Sequence, residues 1–144
     1  MPLQLPSTET EIDAFLAAFE SKTLPKERWT HAAHVLVGAC YVHEHGEAAA
    51  TVRMRERVSA YNVAVGGENT ASSGYHETIT VFWIKLLALL HERYEGLGRG
   101  AFLRLALAEY GDRRDTLREF YDFDVVGSEE ARRLWIAPTA RQLD

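Results

Sequence analysis

The sequence predicts an all-α fold, an up-and-down four-helix bundle with extra short C-terminal helices. Three observations predict it. Apolar residues recur at helical spacing through several long segments. No stretch alternates apolar and polar residues between hairpin turns. The connections are short, which favours antiparallel neighbours. The 144 residues fit one domain, residues 1–144, and a 47% hydrophobic content fills a single core.

The elements follow in order. Thr8 and Glu11 form a T-x-x-E capping box. Ile12, Phe15, Leu16 and Phe19 then set a first helix over residues 9–21. After a connector with Pro25, Thr30 caps a second helix from His31 to His45, ended by Gly46. Its centre, "VLVGACYV", is apolar nearly all round and predicts a helix through the core. A third helix runs from Glu47 to Val63, with Ala48, Val52, Met54, Val58 and Tyr61 as its apolar positions. "GGENTASSG" is a loop. The fourth helix begins near Tyr75 or His76 and runs to about Tyr94, with Ile79, Phe82, Trp83, Leu86, Leu87 and Leu90 on its buried face. "AFLRLALAEYG" is a shorter helix, "DTLREFYD" and "SEEARRLW" are short helical turns, and the tail with Pro138 is extended.

Composition narrows the function. The single cysteine, Cys40, rules out an internal disulfide and a Cys-rich zinc site, which suits a cytoplasmic protein. The polar, acidic start predicts no signal peptide. The longest apolar stretch, "TITVFWIKLLALL", is too short to span a bilayer, so no membrane partner is expected. A net charge of −5 argues against nucleic acid as a partner. The arginines of "RMRER" read as a solvated helix face.

Two histidine motifs carry the functional expectation, "WTHAAH" (Trp29 to His34) and "GYHET" (Gly74 to Thr78). In an up-and-down topology the second and fourth helices run parallel, so His31, His34 and His76 begin at one end. Tyr61 and Asn62 end the third helix there, and the loop with Asn69 closes over it. Residues at i and i+3 share a helix face, so His31 and His34 can aim at one point.

Three readings fit this end. In the first, His31, His34 and His76 ligate a divalent metal, zinc or similar, and Glu77 is the base for a bound water. In the second, the pocket holds no metal, and His76 is the acid–base group for a small polar or anionic molecule. Tyr61 or Asn62 then orients the substrate, and Trp29, Asn69, Tyr75, Thr80 and Trp83 shape the pocket. In the third, the histidines serve only to satisfy buried backbone groups. His43, His45 and His91, near helix C-termini, read as caps, and Cys40 as a small core residue.

The compound pattern "ERWTHAAH", "YN…ENT…GYHETIT.FW" and "S.EAR..W..P" resembles a family of small bacterial all-helical proteins, from about Phe19 to Pro138. The resemblance implies the helical fold and brings no activity with it. The architecture is also similar to DinB-like bundles, a fold analogy that implies three histidines around a metal. The function expected is a small, hydrolase-like enzyme with a histidine-lined pocket. The alternative is a non-catalytic ligand-binding or interaction module, homodimeric through its helix faces.

Overall fold

The apolar run of the second helix lies at the centre of the molecule. The computed structural model describes residues 5–144, with no strand among them. Five longer helices are α1 (Glu9–Glu20), α2 (His31–His45), α3 (Glu47–Ala64), α4 (Glu77–Arg93) and α5 (Arg99–Tyr110). Two short ones follow, α6 (Leu117–Phe120) and α7 (Glu129–Arg133). Val35 to Val42 of α2 are all buried, so the helix is apolar all round because other helices surround it.

The caps form where the sequence puts them. Thr8 and Glu11 close the capping box of α1, and the Thr30 hydroxyl accepts from the Ala33 amide at 3.2 Å. Gly46, at φ 84°, both ends α2 and begins α3, so the two helices fold back on each other with a single residue between them.

Side-chain pairs fix the directions of the helices. Arg55 meets Glu77 and Glu47 meets Lys85, so α3 and α4 are antiparallel. His31 packs on Trp83 and His43 on His91, so α2 and α4 are parallel. His43 packs on Phe102 and the His31 ring bonds to Tyr110, so α5 runs opposite to α2. The up-and-down bundle therefore comprises α2 to α5, and α1 packs on it through Phe19 against Trp29 and Tyr61.

Two of the expected apolar positions on α3 are exposed. The buried stripe is Ala50, Met54, Val58 and Tyr61, whereas Ala48 and Val52 face solvent. Positions 50, 54, 58 and 61 keep i, i+4 and i+3 spacing, and residues two positions before them fall on the opposite side. Gly38 serves helix packing, since a Cβ there would meet Leu87 at 3.1 Å and Ile84 at 3.4 Å.

The other side of α4 has its own core. Phe82 and Leu86 pack with Leu117, Phe120, Tyr121, Val125 and Ala131. The Thr78 hydroxyl donates to the Leu134 carbonyl at 2.6 Å and accepts from the Ile136 amide at 3.0 Å. The C-terminal segment is thus tied along α4, which places α7 beside the start of that helix. No described helix is long and apolar enough to cross a membrane.

Candidate functional site

The three histidines do not converge. The ring of His31 meets Trp83, the seventh residue beyond His76, so His76 stands about 10 Å further along the bundle axis. The parallel topology holds, but α4 starts nearly two turns before α2 does.

Each histidine is instead committed to the backbone. The His31 Nε2–H donates to the Tyr110 carbonyl at 3.0 Å. The His34 Nδ1–H donates to the Thr30 carbonyl at 2.8 Å, one turn back in its own helix. His76 uses both ring nitrogens: Nε2–H donates to the Val125 carbonyl at 2.9 Å, and Nδ1 accepts from the Ile79 amide at 3.1 Å. A carbonyl only accepts, so Nε2 carries the proton and Nδ1 is the free acceptor that caps α4. Burial lowers the pKa of all three histidines, that of His34, packed at a tilt on Trp29 with ring centroids 3.9 Å apart, to about 4.

These bonds leave the three histidines apart and engaged with the backbone. A ligating imidazole needs a free lone pair, and His76 has none. Among the described residues no group of three or more His, Cys, Asp or Glu side chains could hold a metal ion. The donor set does not fit the three-histidine centre. His76 is buried, with both ring nitrogens engaged.

Other expected site residues are structural. Tyr61 is fully buried and its hydroxyl donates to the Leu24 carbonyl at 2.6 Å. Trp83 packs edge-on against His31, Phe82 and Tyr110. Trp29 stacks on Phe19 at 4.3 Å, which places it in the wall between α1 and α2. Asn62 donates to Asn69 Oδ1 at 3.2 Å. The Asn69 amide group donates to the Ser59 carbonyl at 2.9 Å, and its Oδ1 also accepts from the Tyr75 amide at 2.9 Å. These two asparagines pin the loop that carries Tyr75.

Glycine completes that loop. Gly74 has φ +80°, and a Cβ there would lie 2.3 Å from the Glu68 carbonyl oxygen and 2.6 Å from Asn69 Oδ1. The loop can close on Asn69 only with no side chain at this position.

What the loop presents is Tyr75 and Glu77. The Tyr75 hydroxyl donates to Glu77 Oε1 at 2.6 Å. Arg55, one antiparallel rung across on α3, grips both carboxylate oxygens, at 3.0 and 2.8 Å. The rungs Arg55–Glu77 and Glu47–Lys85 are eight residues apart on each helix, about 12 Å, so the same register forms both. Arg55 holds the Glu77 carboxyl below the usual carboxylate range. Burial, and then the bond to Glu77, push the Tyr75 phenol up. Thr80, one turn on, is half-buried beside the Tyr75 hydroxyl.

This Tyr–Glu–Arg chain forms one wall of a cleft of about 890 Å³ between α3, the 65–76 loop, the start of α4, and α7. Asn69 and Thr70 are at its rim, and Glu129, Glu130, Arg132 and Arg133 of α7 line the other side. Arg132 Nη1 donates to the Gly74 carbonyl at 2.7 Å and holds loop and helix together. The volume is that of a small-molecule site.

The structure therefore brings together Asn69, Tyr75 and Glu77, with Thr80 beside them, and leaves His31, His34, Tyr61 and Trp83 elsewhere. Sequence reasoning missed Arg55 and the charged residues of α7. Arg55 belongs to the "RMRER" stretch read as a solvated face. Its signal is the repeat of opposite charges at 47/55 and 77/85, visible only once α3 and α4 are set antiparallel. The chain has no significant match to a family model, a curated protein or a solved structure.

Proposed function

We propose that the cleft between α3, α4 and α7 binds a small polar molecule, and that the protein acts by binding rather than by turning the molecule over. The observation that carries this reading is the Tyr75–Glu77–Arg55 chain along the cleft wall. Its groups are held in place by one another and by the loop bonds to Asn69, so they are organised before a ligand arrives. Tyr75, whose proton points at Glu77, lines the cleft beside that carboxylate.

The same electrostatics argue against catalysis. A general acid or base works best with a pKa near the operating pH. Glu77 is shifted down and Tyr75 up, each away from neutrality. His76, with the suitable intrinsic pKa, is spent on capping α4. These shifts and the formed cleft favour the ligand-binding alternative over the hydrolase-like expectation.

Amide chemical-shift mapping against a library of small polar metabolites tests the reading. Binders are expected to move the amides of residues 69–77 and 129–133 together. Binders that act only elsewhere, or a library without a binder, would remove the cleft as the functional site.

A further inference from the structure

Helix α7 has the sequence Glu129-Glu130-Ala131-Arg132-Arg133. Glu129 with Arg133 is an i, i+4 pair in the favoured order, and Glu129 with Arg132 and Glu130 with Arg133 are i, i+3 pairs. On an exposed helix such pairs each contribute a small stabilisation. Here none of them forms. Among the described residues no ion pair within 4.0 Å involves Glu129, Glu130, Arg132 or Arg133. All four nevertheless line the one cleft, and Arg132 reaches across it to the Gly74 carbonyl.

Across the cleft the charges are already spent. Arg55 and Glu77 neutralise each other through two hydrogen bonds. What remains for a ligand is two carboxylates, the Arg133 guanidinium and the Arg132 N–H groups not bonded to the Gly74 and Tyr75 carbonyls, with Tyr75, Asn69 and Thr70 lining the same cleft. A ligand with one sign of charge would meet an attractive pair and a repulsive pair in the same space. A ligand carrying both signs meets two attractive ones.

We infer that the cleft takes a small zwitterion, with its ammonium toward Glu129 and Glu130 and its carboxylate toward Arg132 and Arg133. The inference rests on the proposed binding function and specifies its ligand class. Charge-assisted hydrogen bonds at both ends, with bidentate capture of the carboxylate by arginine, supply the recognition.

Equilibrium titration of the full chain with three pools of probes tests it. The pools are the free L-α-amino acids, their N-acetyl derivatives and their carboxamides. The tightest free amino acid is expected to bind at least about tenfold more strongly than either capped form, since each cap removes one charge-assisted contact. Glu129→Gln with Glu130→Gln is expected to weaken the free amino acid about tenfold and to strengthen the N-acetyl form, from which it removes the repulsive pair. Arg133→Gln should weaken both the free amino acid and the N-acetyl form and leave the carboxamide bound no more weakly. These residues are exposed, so the variants fold, and an unchanged Tm confirms it. Equal binding of the N-acetyl form overturns the zwitterion while leaving the cleft a site for anions. Equal binding of the carboxamide overturns it in favour of cations. No binding by any pool at millimolar concentration overturns it outright, whereas the amide mapping described above judges the cleft itself.

Discussion

Helix α3 feeds two Tyr–Glu–Arg chains, and only one of them is at the proposed site. Arg55 engages Glu77 of α4, which accepts from Tyr75. Two residues on, Arg57 engages Glu20 of α1, which accepts from the Tyr41 hydroxyl of α2 at 2.8 Å. Residues at i and i+2 leave a helix on different sides, so one chain faces the α4 side of α3 and the other the α1 side. The chemistry is the same, and the surroundings differ. Tyr41 is buried, Arg57 lies over its ring at 5.6 Å, and the chain joins α1 to α2 and α3. The Tyr75 chain faces α7 across open space. A set of polar residues becomes a binding wall only where packing leaves room beside it. Elsewhere it is a strut.

Substitutions can break this comparison from either side. The largest effect is expected at Gly74, where Gly74→Ala forces a Cβ onto the Glu68 carbonyl oxygen in a left-handed backbone. It should cost about 1–3 kcal/mol in chemical denaturation and abolish ligand binding. Next is the strut: Tyr41→Phe should cost about 1 kcal/mol by losing its bond to Glu20, with ligand affinity unchanged.

Acidification separates the chains without mutation. The native pKa values of His31, His34 and His76 all lie below the unfolded value, so the unfolded chain binds more protons. Their contribution is fully present above the unfolded value of about 6.5 and is lost as pH falls through the native values, about 4 for His34. Tm should therefore drop between about pH 6.5 and 4. A protonated His76 cannot accept from the Ile79 amide, and His76 lies between Tyr75 and Glu77. Arg132 of α7 disfavours that charge and works with burial against it, while the Val125 carbonyl favours it. Amide protection, taken relative to the intrinsic exchange rate at each pH, should fall at residues 75–79 before residues 38–42.

The smallest stability effect is expected at the proposed site. Glu77→Gln should change stability by at most about 1 kcal/mol, because Arg55 is nearly half exposed, yet it should weaken binding by disordering Arg55 and Tyr75.

The fold was legible in the sequence because its signals are local. Caps at Thr8 and Thr30, the Gly46 break and 3.6-residue periodicity involve residues near one another, and the helices follow them. The topology was legible too, since α2 and α4 do run parallel. The site was legible only in part. "GYHET" marks the loop of the proposed site through Tyr75 and Glu77, and its histidine caps the helix that Glu77 begins. What misled was register. Parallel helices share an end only if they start level, and α4 starts nearly two turns early because the C-terminal segment packs along its first turns. Arg55 and α7 were invisible as site residues because their partners lie on elements far away in sequence.

The most direct measurement is the affinity of the tightest free amino acid for three proteins side by side: wild type, Tyr75→Phe and Tyr41→Phe. If one chain is a binding wall and the other a strut, Tyr75→Phe binds at least about tenfold more weakly with Tm nearly unchanged. Tyr41→Phe then keeps wild-type affinity and loses Tm. Equal affinity in all three proteins, or equal loss in both variants, would contradict the account.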